Sequence, residues 1–346
     1  MRLRHKTWRG GIGLSVLAVG LVSLATAPLA LRLATPERGV DLNALCPDIA
    51  DGAARVWLPS SAAPALVDQI AAADIILIGE LHDSALHHQV QACVLKLSAA
   101  TKMPPAVVWE HLTTDQQDTL DAFAKSGDRS ADAFAKAVAW DKSGWPPFKL
   151  FRPIVDVALS SNLPMYGGNV RGPVLMKAAR SRGRDVPDAL RPLLERKGAM
   201  LDEAASASLR DELVKSHCNM LPANAIDSMI FAQQFRDVQL AKVTADAFVK
   251  HGRVVVIAGN GHVRGDRGVP FHLKRFTPEA RVLTIIQHET ATPGTFPKDA
   301  PRQDFGQLAG RLLSDVMVAT SETKREGACE MMQRMMQSRA KPKASE

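Results

Sequence analysis

Asp74-Ile-Ile-Leu-Ile-Gly-Glu-Leu-His-Asp83 sets the fold: four consecutive apolar residues end at Gly79 and give way at once to Glu80, His82 and Asp83. Four other runs share this grammar, Ala106-Val-Val-Trp-Glu110, Leu163-Pro-Met-Tyr-Gly167, Arg253-Val-Val-Val-Ile-Ala258 and Arg281-Val-Leu-Thr-Ile-Ile286. They are continuous rather than alternating, which suits strands covered on both faces. Helical stretches at about 84–99, 115–139, 148–161 and 223–249 separate them. The pattern predicts an α/β fold, a mainly parallel sheet flanked by helices in three layers, over about residues 40–290.

More than one crossover's worth of chain lies between the third and fourth runs, and its charged, amphipathic segment at about 173–220 reads as a helical insertion or cap. After Gln287 the composition turns to Thr, Pro, Gly and charge, so residues 291–346 are expected to be a peripheral tail. Met331, Met332, Met335 and Met336 in that tail fit a helix face that packs on something. At the other end, Arg2, Arg4, Lys6 and Arg9 precede an apolar run from Gly11 to about Leu31. Residues 1–33 therefore read as a signal peptide, with Ala25, Ala27 and Ala30 offering small residues for cleavage, or as an uncleaved N-terminal anchor. Either reading places the protein outside the cytoplasm, in the periplasm or anchored in the cell envelope, with membrane contact only through that segment.

The leader also accounts for the charge. With Arg32 it holds five basic residues and no acid, so the net +7 falls to about +2 without it. No basic stripe interleaved with aromatics remains, which excludes a nucleic-acid partner. The four cysteines, Cys46, Cys93, Cys218 and Cys329, stand singly, unlike a zinc ribbon or a C-x-x-C redox pair. Export permits one or two disulfides, and Cys218 with Cys329 is the favoured pair because it would tie the tail to the body.

The strand ends carry the chemistry. The first run leads into Gly79-Glu80-Leu81-His82-Asp83, with His87 and His88 a turn further on; the second ends in Glu110-His111; the third runs into Gly167-Gly168-Asn169-Val170-Arg171; the fourth ends in Gly259-Asn260-Gly261-His262. Parallel sheets bind ligands outside the carboxyl ends of their strands, so these loops converge on one region. Glu80, His82, Glu110 and His262 are the catalytic candidates, as metal ligands or as general acid and base near neutral pH. Asn169, Arg171 and Tyr166, the chain's single tyrosine, are expected to bind ligand. So are Arg236 and Asp237, which share a helix side with Gln233 and Leu240. Asp83 reads as a helix N-cap, and His87 and His88 as a surface residue and a satisfied hydrogen-bonding residue. No Gly-x-Ser-x-Gly elbow and no cysteine beside these histidines supports a covalent nucleophile.

The two G-x-x-H elements, Gly79-Glu80-Leu81-His82 and Gly259-Asn260-Gly261-His262, together with Glu110, Arg236-Asp237 and Gly268-Val-Pro270, resemble the ChaN-like family from about Asp74 to Gln287. That family is described as iron-regulated and haem-binding, within a superfamily that includes TraB, Tiki and erythromycin esterase proteins. The resemblance implies haem as ligand and a role in haem or iron uptake at the cell envelope, with Tyr166 or a histidine on the iron and Arg side chains on the propionates; a homodimer is one open arrangement. The sequence departs from the ChaN lipoprotein pattern in lacking a lipid-attachment cysteine after the leader. Tiki relatives imply a different job, metal-dependent hydrolysis with a divalent metal on Glu80, His82, Glu110 and His262. A third reading is recognition of another small molecule without turnover.

Overall fold

The computed structural model describes residues 40–47, 49, 54–58, 64–195, 200–291, 307–308 and 311–340; the signal peptide or anchor expected at residues 1–33 lies outside the described residues. The strands are β1 (Val40–Asp41), β2 (Ala54–Trp57), β3 (Ile75–Ile78), β4 (Ala106–Thr113), β5 (Met165–Asn169), β6 (Val254–Ile257), β7 (Val282–Thr290), β8 (Gln307–Leu308), β9 (Arg311–Leu312) and β10 (Val316–Ser321). Eight of them form one sheet in the order β1-β2-β10-β7-β3-β6-β4-β5, and β8 pairs with β9 apart from it. From β10 to β5 every neighbouring pair is parallel; β2 runs antiparallel to β10, and β1 to β2.

Helices α1 (Leu66–Ala72), α2 (Ala85–Ala99), α3 (Gln117–Ser126), α4 (Ala131–Ala137) and α5 (Arg152–Ser160) come between or beside the strands up to β5. Then follow α6 (Gly172–Arg180), α7 (Arg191–Glu195), α8 (Glu203–Ser216), the 29-residue α9 (Ala223–His251), α10 (Asn260–Val263), α11 (Val269–Phe276) and α12 (Ala328–Ala340). The apolar runs serve both faces of the sheet. Ile76, Ile78, Val107, Trp109, Val255 and Ile257 join a core with α2 and α5, whereas Ile75, Leu77, Val108, Val254 and Val256 join a second core with α9 and α11. Since successive side chains point to opposite faces, a three-layer fold needs apolar residues at every position, and the sequence has them. Between β5 and α9, helices α6 to α8 build small cores of their own on the first half of α9, Leu175, Ala178 and Val186 around Phe235, and Leu209 against Ile226 and Ile230.

The tail departs from expectation. Residues 316–321 form β10 inside the sheet, between β2 and β7, with Val316, Met317, Val318 and Thr320 fully buried. Thr-Pro-Gly composition upstream conceals a short strand whose apolar residues are too few to outweigh it in a sequence window. α12 forms where the methionines suggest a helix, yet Met331 is 45% exposed rather than packed; the side chains at 335 and 336 lie outside the described residues. Two disulfides are present, Cys218–Cys329 and Cys46–Cys93. Among the described residues no helix is long and apolar enough to cross a membrane.

Register then fixes where the polar loops emerge. Ile78 lies beside both Ile257 and Ile285, and Trp109 beside Ile257. The residues one or two places on, Gly79-Glu80, Glu110 and Gly259, therefore stand at one level, although β4 itself continues to Thr113.

Candidate functional site

Alternation along β4 sends the adjacent side chains of Glu110 and His111 to opposite faces, and each joins its own network. On the α2 side, Glu80 receives His82 Nδ1–H at 2.7 Å and His111 Nε2–H at 2.9 Å, both on Oε1. His88 of α2 places Nε2 2.8 Å from Glu80 Oε2, close but off the direction of a hydrogen bond. The side chains of Glu80, His88 and His111 are fully buried, and only His82 reaches solvent, at 38% exposure. Burial alone would raise the Glu80 carboxyl; the charge of His111 and hydrogen bonds from the surrounding imidazoles outweigh it and hold the group well below the usual carboxylate range. Trp145, Trp140 and Phe151 close around His111, and Trp145 donates its indole N–H to the His111 carbonyl at 3.0 Å.

On the α9 side stands a carboxylate–imidazole–carboxylate row. Glu110 Oε1 is 3.1 Å from His262 Nε2, and His262 Nδ1 is 2.6 Å from Asp237 Oδ1, with the Gln233 amide 3.0 Å from the same nitrogen. Glu110 Oε2 accepts the Gly259 N–H at 2.7 Å. Burial lowers the His262 affinity for a proton, but the charges of Glu110 and Asp237 and their hydrogen bonds raise it well above the ordinary imidazole value. Asp237 is raised, by burial first. The charged form of His262 is therefore favoured by the two acidic side chains that flank it, hydrogen-bonded to Asp237 and close to Glu110.

The networks meet at Gly259. A Cβ there would lie 2.8 Å from His82 Cε1, so only glycine lets the His82 ring pass the β6 end while the backbone N–H reaches Glu110. Gly79 is equally constrained, since a Cβ would sit 2.3 Å from Asn260 Oδ1 and Asn260 is bound through both side-chain atoms to the Gln287 backbone. Above the junction opens a cavity of about 550 Å³ lined by Glu80, His82, Glu110, Gln233, Arg236 and His262, among others. Arg236 makes no ion pair among the described residues, and its Nε is buried without a hydrogen-bond partner. His82 Nε2 likewise has no described partner, because Glu80 takes Nδ1–H.

The remaining expected ligand residues do other work. Tyr166 sits on β5 beside Val108, and its hydroxyl is 2.7 Å from His251 Nε2 at the far end of α9, away from the cavity. It is not placed to ligate a metal or haem in that cavity. Asn169 is buried beneath the site, donating to the Glu110 carbonyl at 2.9 Å and accepting from Val170 N–H. Arg171 is exposed and lies 3.7 Å from Asp115. Asp83 does not cap α2, whose N-cap is Ser84; it pairs with Arg325. His87 and His88 are both fully buried, neither at the surface. The expected metal set divides between the two networks, so the compact ligating group among the described residues is Glu80, His82 and His111, with one donor atom each within 4.8 Å of one another.

Several solved structures resemble this one, three of which are the following. The ChaN protein of Campylobacter jejuni, solved with cofacial haem, superposes with a TM-score of 0.58 at 20% identity, over 74% of this chain and 91% of that one. A Bacillus cereus protein gives 0.40 at 12% identity, over 73% and 90%. An erythromycin esterase variant in its open conformation gives 0.37 at 13% identity, over 79% and 82%. No curated protein matches the sequence. The first of these likenesses carries the fold. A family model described as haem-binding uptake, Tiki superfamily, ChaN matches residues 66–273, which is more than half of the chain, and the protein belongs to that family.

Proposed function

We propose that this protein binds haem noncovalently over the cavity at the strand ends and serves haem or iron handling as an exported protein, periplasmic or anchored in the cell envelope. The observation that carries the reading is a pair of groups lining the cavity, the imidazole of His82, which is bound to Glu80 through Nδ1 and leaves Nε2 for a ligand, and the Arg236 guanidinium with its orphaned Nε. A histidine whose other ring nitrogen is held by a carboxylate is the usual arrangement for a metal ligand, since that bond fixes both tautomer and ring direction. Arg236 matches a propionate in charge and geometry. The Trp145 ring, 4.9 Å from that of His82, leads into a groove of about 550 Å³ lined by Trp140, Pro146, Pro147 and Phe148. An apolar groove on one side of the imidazole and a guanidinium on the other fit a flat macrocycle with one acidic edge. With no C-x-x-C-H motif, attachment is noncovalent. Haem supplies the iron; His82 binds, Arg236 orients, and Glu80 keeps the imidazole aligned. Two disulfides agree with an oxidising compartment.

His82 also has a raised proton affinity. Burial opposes this, but the Glu80 hydrogen bond and the charges of Glu110 and Glu80 prevail. Proton and iron then compete for Nε2, so haemin affinity should fall on acidification.

The test is a haemin titration of leaderless protein followed by absorbance. A stoichiometric Soret shift is expected, weakened about tenfold or more in His82→Ala, which is roughly 1.4 kcal/mol, weakened in Arg236→Gln, and unchanged in Tyr166→Phe. A second reading, a metal-dependent or Glu/His acid–base hydrolase, draws on the Glu80, His82 and His111 group. Absence of a specific Soret shift, with stoichiometric zinc or manganese lost in His111→Ala and with esterase or peptidase activity lost in His262→Ala, would replace the first reading with the second. Retained binding of another small molecule with neither signal would leave recognition alone.

A further inference from the structure

We propose that residues 322–329 are a redox-sensitive strap that joins the two walls of the cavity, ion-paired at one end to the loop carrying His82 and disulfide-bonded at the other to the helical insertion carrying Glu212. The chain leaves β10 at Ser321, on the side of the sheet where the polar loops emerge. Arg325 then forks onto Glu289 at the end of β7, with Nη1–Oε2 at 2.5 Å and Nη2–Oε1 at 2.9 Å, and donates from Nε to Asp83 Oδ2 at 2.9 Å. Asp83 adjoins His82 and lines the cavity. Four residues after Arg325, Cys329 of α12 is bonded to Cys218, just past the end of α8.

That second anchor reaches the opposite wall. Glu212 of α8 lines the cavity and binds Arg267 and Arg264 of the loop that follows His262. The backbone from 322 to 327 forms no helix or strand, and side chains hold its course between β10 and the disulfide: Arg325 and Thr323 on Glu289, and Glu326 on Arg334 of α12. A fork to a carboxylate whose side chain is only 6% exposed is stronger than a surface pair.

The two disulfides differ in access. Cys46 and Cys93 are buried at 5% and 4% exposure, whereas Cys329 is exposed and Cys218 half-buried. Thiolate attack needs access to a sulfur, so a dithiol reductant meets the tether first. In that step the Cys218–Cys329 bond breaks, the dithiol gives up two electrons and two protons and leaves as a disulfide, and two thiols remain. Oxidised, the strap holds the walls in register and slows the loss of bound ligand; reduced, the walls separate and release speeds up.

The experiment uses the full-length chain treated with graded dithiothreitol, with differential alkylation to identify the reduced pair, amide hydrogen exchange of residues 81–84 and 322–327, and haemin release by stopped flow. Cys218 and Cys329 should reduce while Cys46–Cys93 persists, exchange should rise in both segments, and haemin release should speed up about fivefold or more, the lower end of ordinary coupling between sites. Arg325→Gln, which keeps both disulfides, should raise exchange at 81–84 on its own. Earlier reduction of Cys46–Cys93, or unchanged exchange at 81–84 once Cys218–Cys329 is open, would overturn the strap. The release measurement rests on the haem reading and the exchange measurement does not: raised exchange with no haemin binding in either state supports the strap and removes the haem reading alone.

Discussion

Glu80 lies at the centre of a charge problem that only its neighbours solve. A buried carboxylate among three imidazoles is tolerated because they share its charge and two of them donate to the same oxygen. Replacing it with Ala strands those imidazoles, and Glu80→Ala should destabilise the fold by about 3–5 kcal/mol, the usual result of removing one member of a buried ionic group, read as a lower urea midpoint. Gly259 acts by shape. Gly259→Ala drives a methyl into a His82 ring that Glu80 holds in place, so it should cost about 1–3 kcal/mol as overpacking does and weaken haemin binding more than Gly127→Ala weakens it. Glu80, Glu110 and His262 were legible in the sequence because each lies within four residues of the end of an apolar run. His88 was not, because a histidine inside a helix shows no sign of which way it faces. His111 stood next to Glu110, but its role depends on strand alternation delivering it to the other side of the sheet, and that is a fact of the folded register. Tyr166 misled for a related reason: β5 continues past it to Asn169, so a residue that reads as a strand end lies further back along the strand.

Elements position these groups through a few specific contacts. α9 presents Gln233, Arg236 and Asp237 to one region, as spacings of three and four require, and the network on His262 depends on that helix being continuous. α2 uses its first turns differently. His87 accepts the Leu81 backbone N–H on Nδ1 at 2.8 Å and meets Thr320 Oγ1 through Nε2 at 3.1 Å, joining the His82 loop to β10. This requires a neutral ring, and burial pushes its pKa down to about 3 from 6.5. His272 of α11 is likewise pushed down to about 3 by burial, with Arg275 adding to the effect. Between pH 6.5 and 3 the unfolded chain binds protons at both sites that the folded chain does not, so stability rises with pH across that window. It is complete above 6.5 and is lost as the pH falls toward 3. Urea midpoints should therefore drop progressively from pH 6.5 to 4, and His272→Leu should flatten that slope; a slope unchanged in the variant would count against a neutral buried His272.

At the scale of the molecule, the parallel core and its three layers followed from the apolar runs, whereas the flank of the sheet did not. β2 and β10 are short and embedded in composition that reads as loop, and their pairing joins residues more than 250 positions apart, which no local pattern encodes. The consequence is that β10, in the part of the chain expected to be peripheral, is structural. β10 covers the edge of β7 and carries β2, and through β2 it carries β1. Val316, Met317 and Val318 are fully buried, and burying such a side chain contributes about 1.5–3 kcal/mol each. Together that is comparable with the whole net stability of an ordinary domain, about 5–15 kcal/mol. A chain ending at residue 291 would lose those contacts, expose the edge of β7 and detach the β1–β2 pair from the sheet. It should be recovered as aggregate or unfold without a cooperative transition in circular dichroism, whereas a chain ending at residue 327, which keeps β10 and gives up only α12 and its disulfide, should retain a cooperative transition. A stable, cooperatively folding 1–291 fragment would mean that β3 to β7 suffice as a sheet and that β10 is an ornament of the edge rather than part of the core.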